Sequence, residues 1–203
     1  AVTSILLKGG STLTGTLPIV GNYQTVNGTV TAGTVAVANG SNNPTAATKE
    51  VGTKDYIVSS IRISNNSSET GQTVRVKSVT FTNNGSSSPD DVANLRLVNT
   101  NTGTVLNTLP TVTKDKINFL GVDNDILKGN NINLDLRLDV VSGSARDISY
   151  DIDKASDIVV YDTLRKVNVL PTYPNTSSPY YNANNTTIGN GKLLVKSLAI
   201  TQN

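Results

Sequence analysis

The segment Ile132-Asn133-Leu134-Asp135-Leu136-Arg137-Leu138-Asp139-Val140 alternates strictly between aliphatic and polar residues. Successive side chains of a β-strand point to opposite faces, so this pattern predicts a strand with one buried face and one wetted face. The same period of two occurs in two further stretches, marked by Ile148, Tyr150 and Ile152 and by Ile57, Ser59, Ile61 and Ile63. No segment of ten residues has a helical period. The chain is therefore predicted to be all-β.

Shorter apolar runs separated by turn residues extend this pattern. Additional strands are predicted at Val35–Ala38, Val92–Val98, Thr104–Leu106, Ile117–Leu120, Ile158–Tyr161 and Lys166–Leu170. Val74 and Val76 share one face of another strand, but Val79 and Phe81 are out of phase with them, which predicts a β-bulge at Lys77-Ser78. Many short strands with Asn-Gly turns indicate an antiparallel β-sandwich, either immunoglobulin-like or jelly-roll.

The composition removes several classes of function. The chain of 203 residues has a formal net charge of +2, and its basic residues are scattered singly, so no nucleic-acid partner is expected. It has no Cys and no His, which excludes Ser-His-Asp and Cys-His catalysis and any thiolate metal site. We therefore do not expect an enzyme or a bound cofactor.

Acidic residues offer an alternative to this expectation. The aspartates at positions 135, 139, 147, 151 and 153 fall on the polar faces of predicted strands, so we expect them to be solvated or paired across strands with Arg137 and Arg146. Asp123 and Asp125 follow Gly121 and are candidate calcium ligands. Turn formation is the simpler interpretation of these two residues, since Asp and Asn favour turns.

The two ends of the chain differ from its centre. Residues 1–33 form an N-terminal extension with strand-like apolar runs, and residues 34–170 form the predicted sandwich. Residues 171–191 are rich in Pro, Tyr and Asn without periodicity, which predicts an arm or linker, and residues 192–203 contain a further apolar strand. The predicted fold is thus a sandwich with detached terminal strands.

The start of the chain suggests export. No Met is present, and Ala1-Val2-Thr3 is what signal-peptidase cleavage would leave, so we expect a secreted protein that is extracellular or on the cell surface. No run of 18 apolar residues is present, so no membrane span is predicted.

The central region resembles repeat domains of large bacterial surface proteins. The resemblance covers the strand Tyr56–Ser64, the strand Val74–Thr82, the turn Asn83–Asp91, the strand Val92–Leu97 and the strand Asn131–Val141. This looks like an immunoglobulin-like sandwich of the surface-layer and adhesion type. The overall plan, with a separate N-terminal strand, is similar to biofilm fibre subunits of the camelysin type and to archaeal donor-strand filaments. The resemblance implies a structural role and carries over no catalytic residue.

Surface modification and contacts with glycans are further candidates. Asn-x-Ser/Thr sequons, which would make the protein a glycoprotein if occupied, begin at Asn27, Asn39, Asn65, Asn66, Asn84, Asn175, Asn184 and Asn185. Tyr173, Tyr180 and Tyr181 could stack on sugars, or they could anchor the arm to its own domain or to a neighbouring subunit.

These patterns predict a subunit of a self-assembling extracellular filament, such as a pilus-like or biofilm fibre, or of a surface layer. Each subunit would donate a terminal strand to the next, giving a head-to-tail homopolymer. The predicted polymerisation residues are Val2, Ile5, Leu6, Leu7, Leu13, Leu17 and Ile19, with Leu193, Val195, Leu198 and Ile200 as the alternative donor. The other hypothesis is a carbohydrate-binding or adhesin module of a larger surface protein.

Overall fold

The computed structural model describes residues 31–189, together with Thr3, Ile5, Gly9 and residues 15–18 and 20–21. The chain divides into two compact units, Ala1–Thr31 and Ala32–Asn203. All strands of the described residues lie in the second unit.

Short strands joined by turns make up this second unit, as the sequence predicts. In chain order they are β1 (Val35–Asn39), β2 (Ala47–Lys49), β3 (Tyr56–Asn65), β4 (Val74–Asn83), β5 (Val92–Asn99), β6 (Thr104–Leu109), β7 (Lys116–Ile126), β8 (Asn131–Val140), β9 (Asp147–Ile148), β10 (Tyr150–Asp151), β11 (Ile158–Asp162), β12 (Val167–Val169) and β13 (Thr186–Ile188). Helical structure in the described residues is limited to two single 3₁₀ turns, Pro89–Asp91 and Ala155–Asp157.

The strands form two large sheets and one small one. Sheet I has the order β1-β3-β8-β5-β6, and all of its pairs are antiparallel. In sheet II, β4 pairs with β7 on one side and with β10 and β11 on the other, and β12 follows β11. Sheet III joins β13 to β2 in parallel and to β9 in the antiparallel direction.

One hydrophobic core is shared by the strands of sheets I and II. The alternating residues Leu134, Leu136 and Leu138 of β8 are fully buried in it. Both phenylalanines, Phe81 of β4 and Phe119 of β7, meet there edge to face with ring centroids 6.4 Å apart. The predicted all-β antiparallel sandwich is confirmed, and the arrangement is compatible with an immunoglobulin-like domain.

Irregularities bend the strands of sheet II. The predicted bulge is confirmed, because the pairing register of β4 with both β7 and β11 shifts between Val76 and Ser78. On the β7 side, Gly121 and Asp123 have φ values of 66° and 41°, in the left-handed region. These residues lie within a strand, although the sequence had favoured a turn at Asp123.

Residues 171–189, predicted as an arm or linker without periodicity, lie against the sandwich. Thr172 pairs in parallel with β1, and its N–H donates to the carbonyl of Val35 at 2.9 Å. The backbones of Tyr181 and Ile152 exchange hydrogen bonds of 3.2 and 3.0 Å. The segment then contributes β13, a strand that sequence periodicity did not detect.

The central position of β8 leads to a stability prediction. Leu136→Ala removes a fully buried side chain and should lower the free energy of unfolding by about 2–5 kcal/mol. Leu120→Ala is the matched control, because Leu120 is 63 % exposed and its truncation should change stability by less than about 0.5 kcal/mol. Guanidinium unfolding followed by circular dichroism measures both. Equal effects of the two substitutions would contradict the described core.

Candidate interaction surface

The chain enters the sandwich at one end of the strands. Gly33 precedes β1, and its N–H donates to Oδ2 of Asp162, the last residue of β11, at 2.8 Å. An added Cβ at Gly33 would lie 3.1 Å from side-chain atoms of both Ser67 and Val74. These neighbours belong to the turn after β3 and to the start of β4, and we call this end of the sandwich the Gly33 end.

Gly189, which follows β13, lies at the opposite end. Gly189 donates its N–H to the carbonyl of Lys49 at 2.8 Å, and β13 pairs with β9. The hydroxyl groups of Thr186 in β13 and Tyr56, the first residue of β3, are 3.1 Å apart. Asn65, at the other end of β3, pairs with Val35 beside Gly33. The Gly33 end and the Gly189 end are therefore separated by the length of β3, about 30 Å for ten residues.

A surface groove lies beside the short strand β12. β12 pairs with β11 only from Val167 to Val169, after which the chain crosses to the edge of sheet I at Thr172. Where β12 ends, the groove is lined by Ser156, Ile158, Val159, Val160, Asn168, Val169 and Leu170. No lining residue carries a charge, and we call this feature the edge groove.

Exposed aliphatic residues also occur in β12, directly after it and in the turn before it. Leu164, Val167 and Leu170 are 46 %, 42 % and 66 % exposed and lie within seven residues of sequence. Apolar side chains clustered on a sheet edge are typical of surfaces that bind another chain. This site was not predicted from the sequence, because Lys166–Leu170 has the pattern of a further sandwich strand.

The expectation of solvated aspartates is wrong for Asp135, Asp139 and Asp151, all of which are buried. Asp135 Oδ1 accepts a hydrogen bond of 2.7 Å from Ser60 Oγ, and its Oδ2 accepts one of 3.0 Å from Asn42 Nδ2. The loop after β1 therefore covers this part of the polar face of sheet I. The periodic pattern of β8 shows which residues share a face, but it does not show whether a loop covers that face.

The predicted pairing with Arg137 occurs for one of these aspartates, but within a single strand, and the predicted pairing with Arg146 is wrong. Arg137 binds Asp135 of its own strand, with Nη2 and Oδ2 3.2 Å apart. Arg146 binds Asp91, with Nη1 and Oδ2 2.8 Å apart. Asp147 accepts a hydrogen bond of 2.7 Å from Thr187 Oγ1. These carboxylates hold loops and strands in place.

Asp151 and Asp153 share one hydrogen-bond donor. Nδ2 of Asn84 lies 2.9 Å from Asp151 Oδ2 and 2.8 Å from Asp153 Oδ1. Burial raises the pKa of Asp151 above its ordinary value, although hydrogen bonds from Ala183 N, Asn84 and Ser149 oppose the rise. The raised pKa reflects the interior position of this carboxylate, which links β10 to the segment after Tyr181.

The calcium candidates are held by basic side chains. Asp125 receives two hydrogen bonds from Arg75, of 2.6 Å from Nε and 2.9 Å from Nη2. The hydrogen bond from Arg75 holds the pKa of Asp125 below its usual range. Asp123 lies 3.9 Å from Lys77 Nζ. Among the described residues no group of three or more acidic side chains could hold a metal ion.

The sequons differ in how accessible their amide nitrogens are. Asn65 is fully buried, and its Nδ2 donates to the carbonyls of Gln72 and Ile126, which opposes glycosylation of the folded chain. The amide nitrogens of three other sequon residues also donate hydrogen bonds: Asn84, Asn175 and Asn184. The exposed sequon residues Asn39, Asn66 and Asn185 remain predictions, and Asn27 lies outside the described residues.

Two of the three candidate tyrosines anchor residues 171–189 to the sandwich. Tyr181 is buried, and its hydroxyl donates to the carbonyl of Ser60 at 2.7 Å. The hydroxyl of Tyr173 donates to the carbonyl of Ala155 at 2.9 Å, and its ring packs edge to face on Tyr180 with centroids 5.5 Å apart. The interpretation as anchors within the same domain is therefore confirmed for Tyr173 and Tyr181.

A second depression lies at the Gly33 end and is rich in amides. It is lined by Asn99, Asn101, Thr102, Asn124, Asp125, Ile126, Leu127, Asn130, Asn131 and Ile132. Amide and carboxylate groups beside aliphatic carbon provide hydrogen bonds and contact area of the kind that sugars use. One of these amide groups already has a hydrogen-bond partner within the protein, because Nδ2 of Asn101 donates to the carbonyl of Asn131 at 3.2 Å.

Most of the predicted polymerisation residues lie outside the described part of the chain. Among them Ile5 and Leu17 are described, and Ile5 is exposed. Those outside the described residues are Val2, Leu6, Leu7, Leu13, Ile19, Leu193, Val195, Leu198 and Ile200. Their assignment as donor residues stays a prediction.

No protein-family model matches the chain, and no curated protein sequence matches it significantly. Within the described residues, none of the helical segments is long or apolar enough to cross a membrane.

Asp91 provides a pH-dependent test of how the loops are held. Burial would raise its pKa, but hydrogen bonds from Arg146, the Ser88 N–H and Ser142 outweigh burial and hold it below the ordinary value. A depressed pKa stabilises the fold above the unfolded-state pKa, and this contribution is lost as the pH falls through the folded-state pKa. Asp91→Asn should therefore lower stability at pH 7 by about 1–3 kcal/mol and by less in acid.

The matched control is Asp90→Asn, because Asp90 is adjacent and exposed. It should leave stability unchanged at either pH. Denaturant unfolding of the three proteins at pH 7 and pH 3 measures the effect. If the difference in unfolding free energy between Asp91→Asn and the parent is the same at pH 7 and pH 3, the lowered pKa of Asp91 is contradicted.

Proposed function

We propose that this chain is a secreted structural subunit, not an enzyme, that assembles head-to-tail into an extracellular filament or surface array. Each copy would donate an apolar terminal strand to the sandwich of the next copy. The observation that carries the proposal is that Gly33, which precedes the first sandwich strand, and Gly189, which follows β13, lie at opposite ends of the sandwich. Segments that leave from opposite ends can link copies in one direction without closing a ring.

The sequence on both sides of the sandwich fits this role. Residues 1–20 and 192–200 contain the apolar runs of the chain that lie beyond the sandwich strands. The segment between Val20 and Gly33 has twelve residues, which span at most about 40 Å when extended. That reach exceeds the sandwich length of about 30 Å, so a donor strand could reach a neighbouring copy.

The amide-lined depression favours a second candidate, a carbohydrate-binding or adhesin module. In that case both terminal segments would pack within their own chain and the purified protein would remain monomeric. Binding of glycans to the monomer, lost on substitution of the lining residues Asn124 and Asn130, would favour this function over assembly.

Removal of the N-terminal segment tests the filament proposal. The chain lacking residues 1–20 should keep its β circular dichroism and its unfolding midpoint but should form no filaments in negative-stain images. Filaments of unchanged morphology from the truncated chain would overturn the N-terminal donor. Monomeric full-length protein under all assembly conditions would overturn the filament itself.

Substitutions in the full-length chain test the side chains of the donor segment without changing the length of the chain. Leu13, Leu17 and Ile19 are spaced at intervals of two or four, so they share one face of an extended strand, and Thr12, Thr14 and Thr16 share the other. Leu13→Ser with Leu17→Ser and Ile19→Ser should prevent assembly, because the donated side chains are lost. The matched control with Thr12→Ser, Thr14→Ser and Thr16→Ser should assemble like the parent.

A further inference from the structure

We infer that the edge groove and the outer side of β12 form the acceptor site, and that their occupant is residues 13–19 of a second copy of this chain. The inference rests on the proposed function and identifies the surface that receives the donor strand. It is carried by the unprotected edge of β12, by the apolar lining of the groove and by the lack of charge in the donor.

The other edges of the two large sheets are protected in ways that β12 is not. The outer side of β1 is paired with Thr172. β7 has left-handed residues at Gly121 and Asp123 within the strand, and charged side chains along it. Such irregularity and charge are common means of preventing edge-to-edge pairing.

The edge strand β6 differs from β12 in chemistry. Its sequence Thr104-Val105-Leu106-Asn107-Thr108-Leu109 is half polar, and Asn107 Nδ2 donates to the carbonyl of Leu120 in β7. β12 instead presents Val167 and Val169 around a single polar residue, and no described strand pairs with its outer side. β12 is therefore the edge best suited to receive another apolar strand.

The groove continues this edge toward the Gly189 end. Beyond Val169 the chain leaves sheet II, so β11 has no β12 partner opposite Ile158 and Val159. Ile158 and Val160 are core residues that also line the groove, and Leu170 forms its exposed wall. An apolar side chain placed here would contact the core directly.

The N-terminal segment matches this surface better than the C-terminal segment does. Residues 11–20 contain no charged residue, and Leu13, Gly15, Leu17 and Ile19 alternate with polar residues or Pro18. The C-terminal run carries Lys192 and Lys196, which would approach the exposed Lys166 at the start of β12. In β-strand addition, backbone pairing provides affinity and alternate side chains fill pockets, which is the pattern of residues 13–19.

Engineered cysteines test the contact, since the natural chain has none. One population carries Leu17→Cys and a second carries Leu170→Cys, and the two are mixed, assembled and oxidised. We expect a disulfide-linked heterodimer on non-reducing gels. The matched control replaces the second population with Leu120→Cys, which is similarly exposed but lies on β7, and should give little cross-linked product.

A single chain carrying both Leu17→Cys and Leu170→Cys distinguishes exchange between copies from occupation of the groove by the same chain. Intermolecular links support the inference, and exclusively intramolecular links overturn it. If truncation of residues 1–20 abolishes filaments but the Leu17–Leu170 pair does not cross-link, the acceptor assignment fails while the proposed function stands. If the truncated chain still assembles, the proposed N-terminal donor fails.

A charge placed in the edge groove provides an independent test of whether an apolar strand binds there. Leu170→Asp places a charge in the uncharged groove and should reduce filament yield at fixed subunit concentration by about tenfold or more. Leu120→Asp should leave the yield within about twofold of the parent. Both variants should keep the parent's unfolding midpoint, because both side chains are exposed in the monomer. Equal yields from the two variants would overturn the inference.

Discussion

The outermost strand of a β-sheet has backbone N–H and C=O groups that find no partner within the sheet. Buried groups of this kind need hydrogen-bond partners, and this need shapes the loops and the segment 171–189 that lie around the two large sheets. Thr172 completes the outer side of β1. Gly40 and Tyr181 both donate to the carbonyl of Ser60, at 2.8 and 2.7 Å. Residues 171–189 therefore have a structural role, because their backbone and side chains satisfy groups that the short strands leave unpaired.

The strands of sheets I and II could be predicted because their patterns are local. Alternation in β8 and β3 specifies a buried face within ten residues, and the phase change in β4 marks its bulge. β2 and β13 were missed because their sequences, Ala47-Thr48-Lys49 and Thr186-Thr187-Ile188, do not alternate large apolar residues with polar ones. Their pairing joins positions about 140 residues apart, and it depends on tertiary contacts rather than on local propensity.

The candidate site could be predicted from the sequence less well than the strands could. Asp135 resembles a surface residue in the pattern of β8, and only the folded loop with Asn42 explains why it is buried. The edge groove depends on where β12 stops pairing and on where the chain crosses to sheet I. Neither event has a marker beyond Leu170-Pro171, a pair that the sequence also contains at Leu17-Pro18 and Leu109-Pro110.

The position of Gly33 at the start of β1 also determines how the sandwich would carry tension. A pull on the chain before Gly33 acts along β1, whose five residues from Val35 to Asn39 pair antiparallel with β3. Ladder hydrogen bonds lie perpendicular to the strands, so this pull loads them together in shear and does not open them one after another. In the proposed filament, each sandwich would therefore resist stretching through its backbone ladders, without any covalent cross-link.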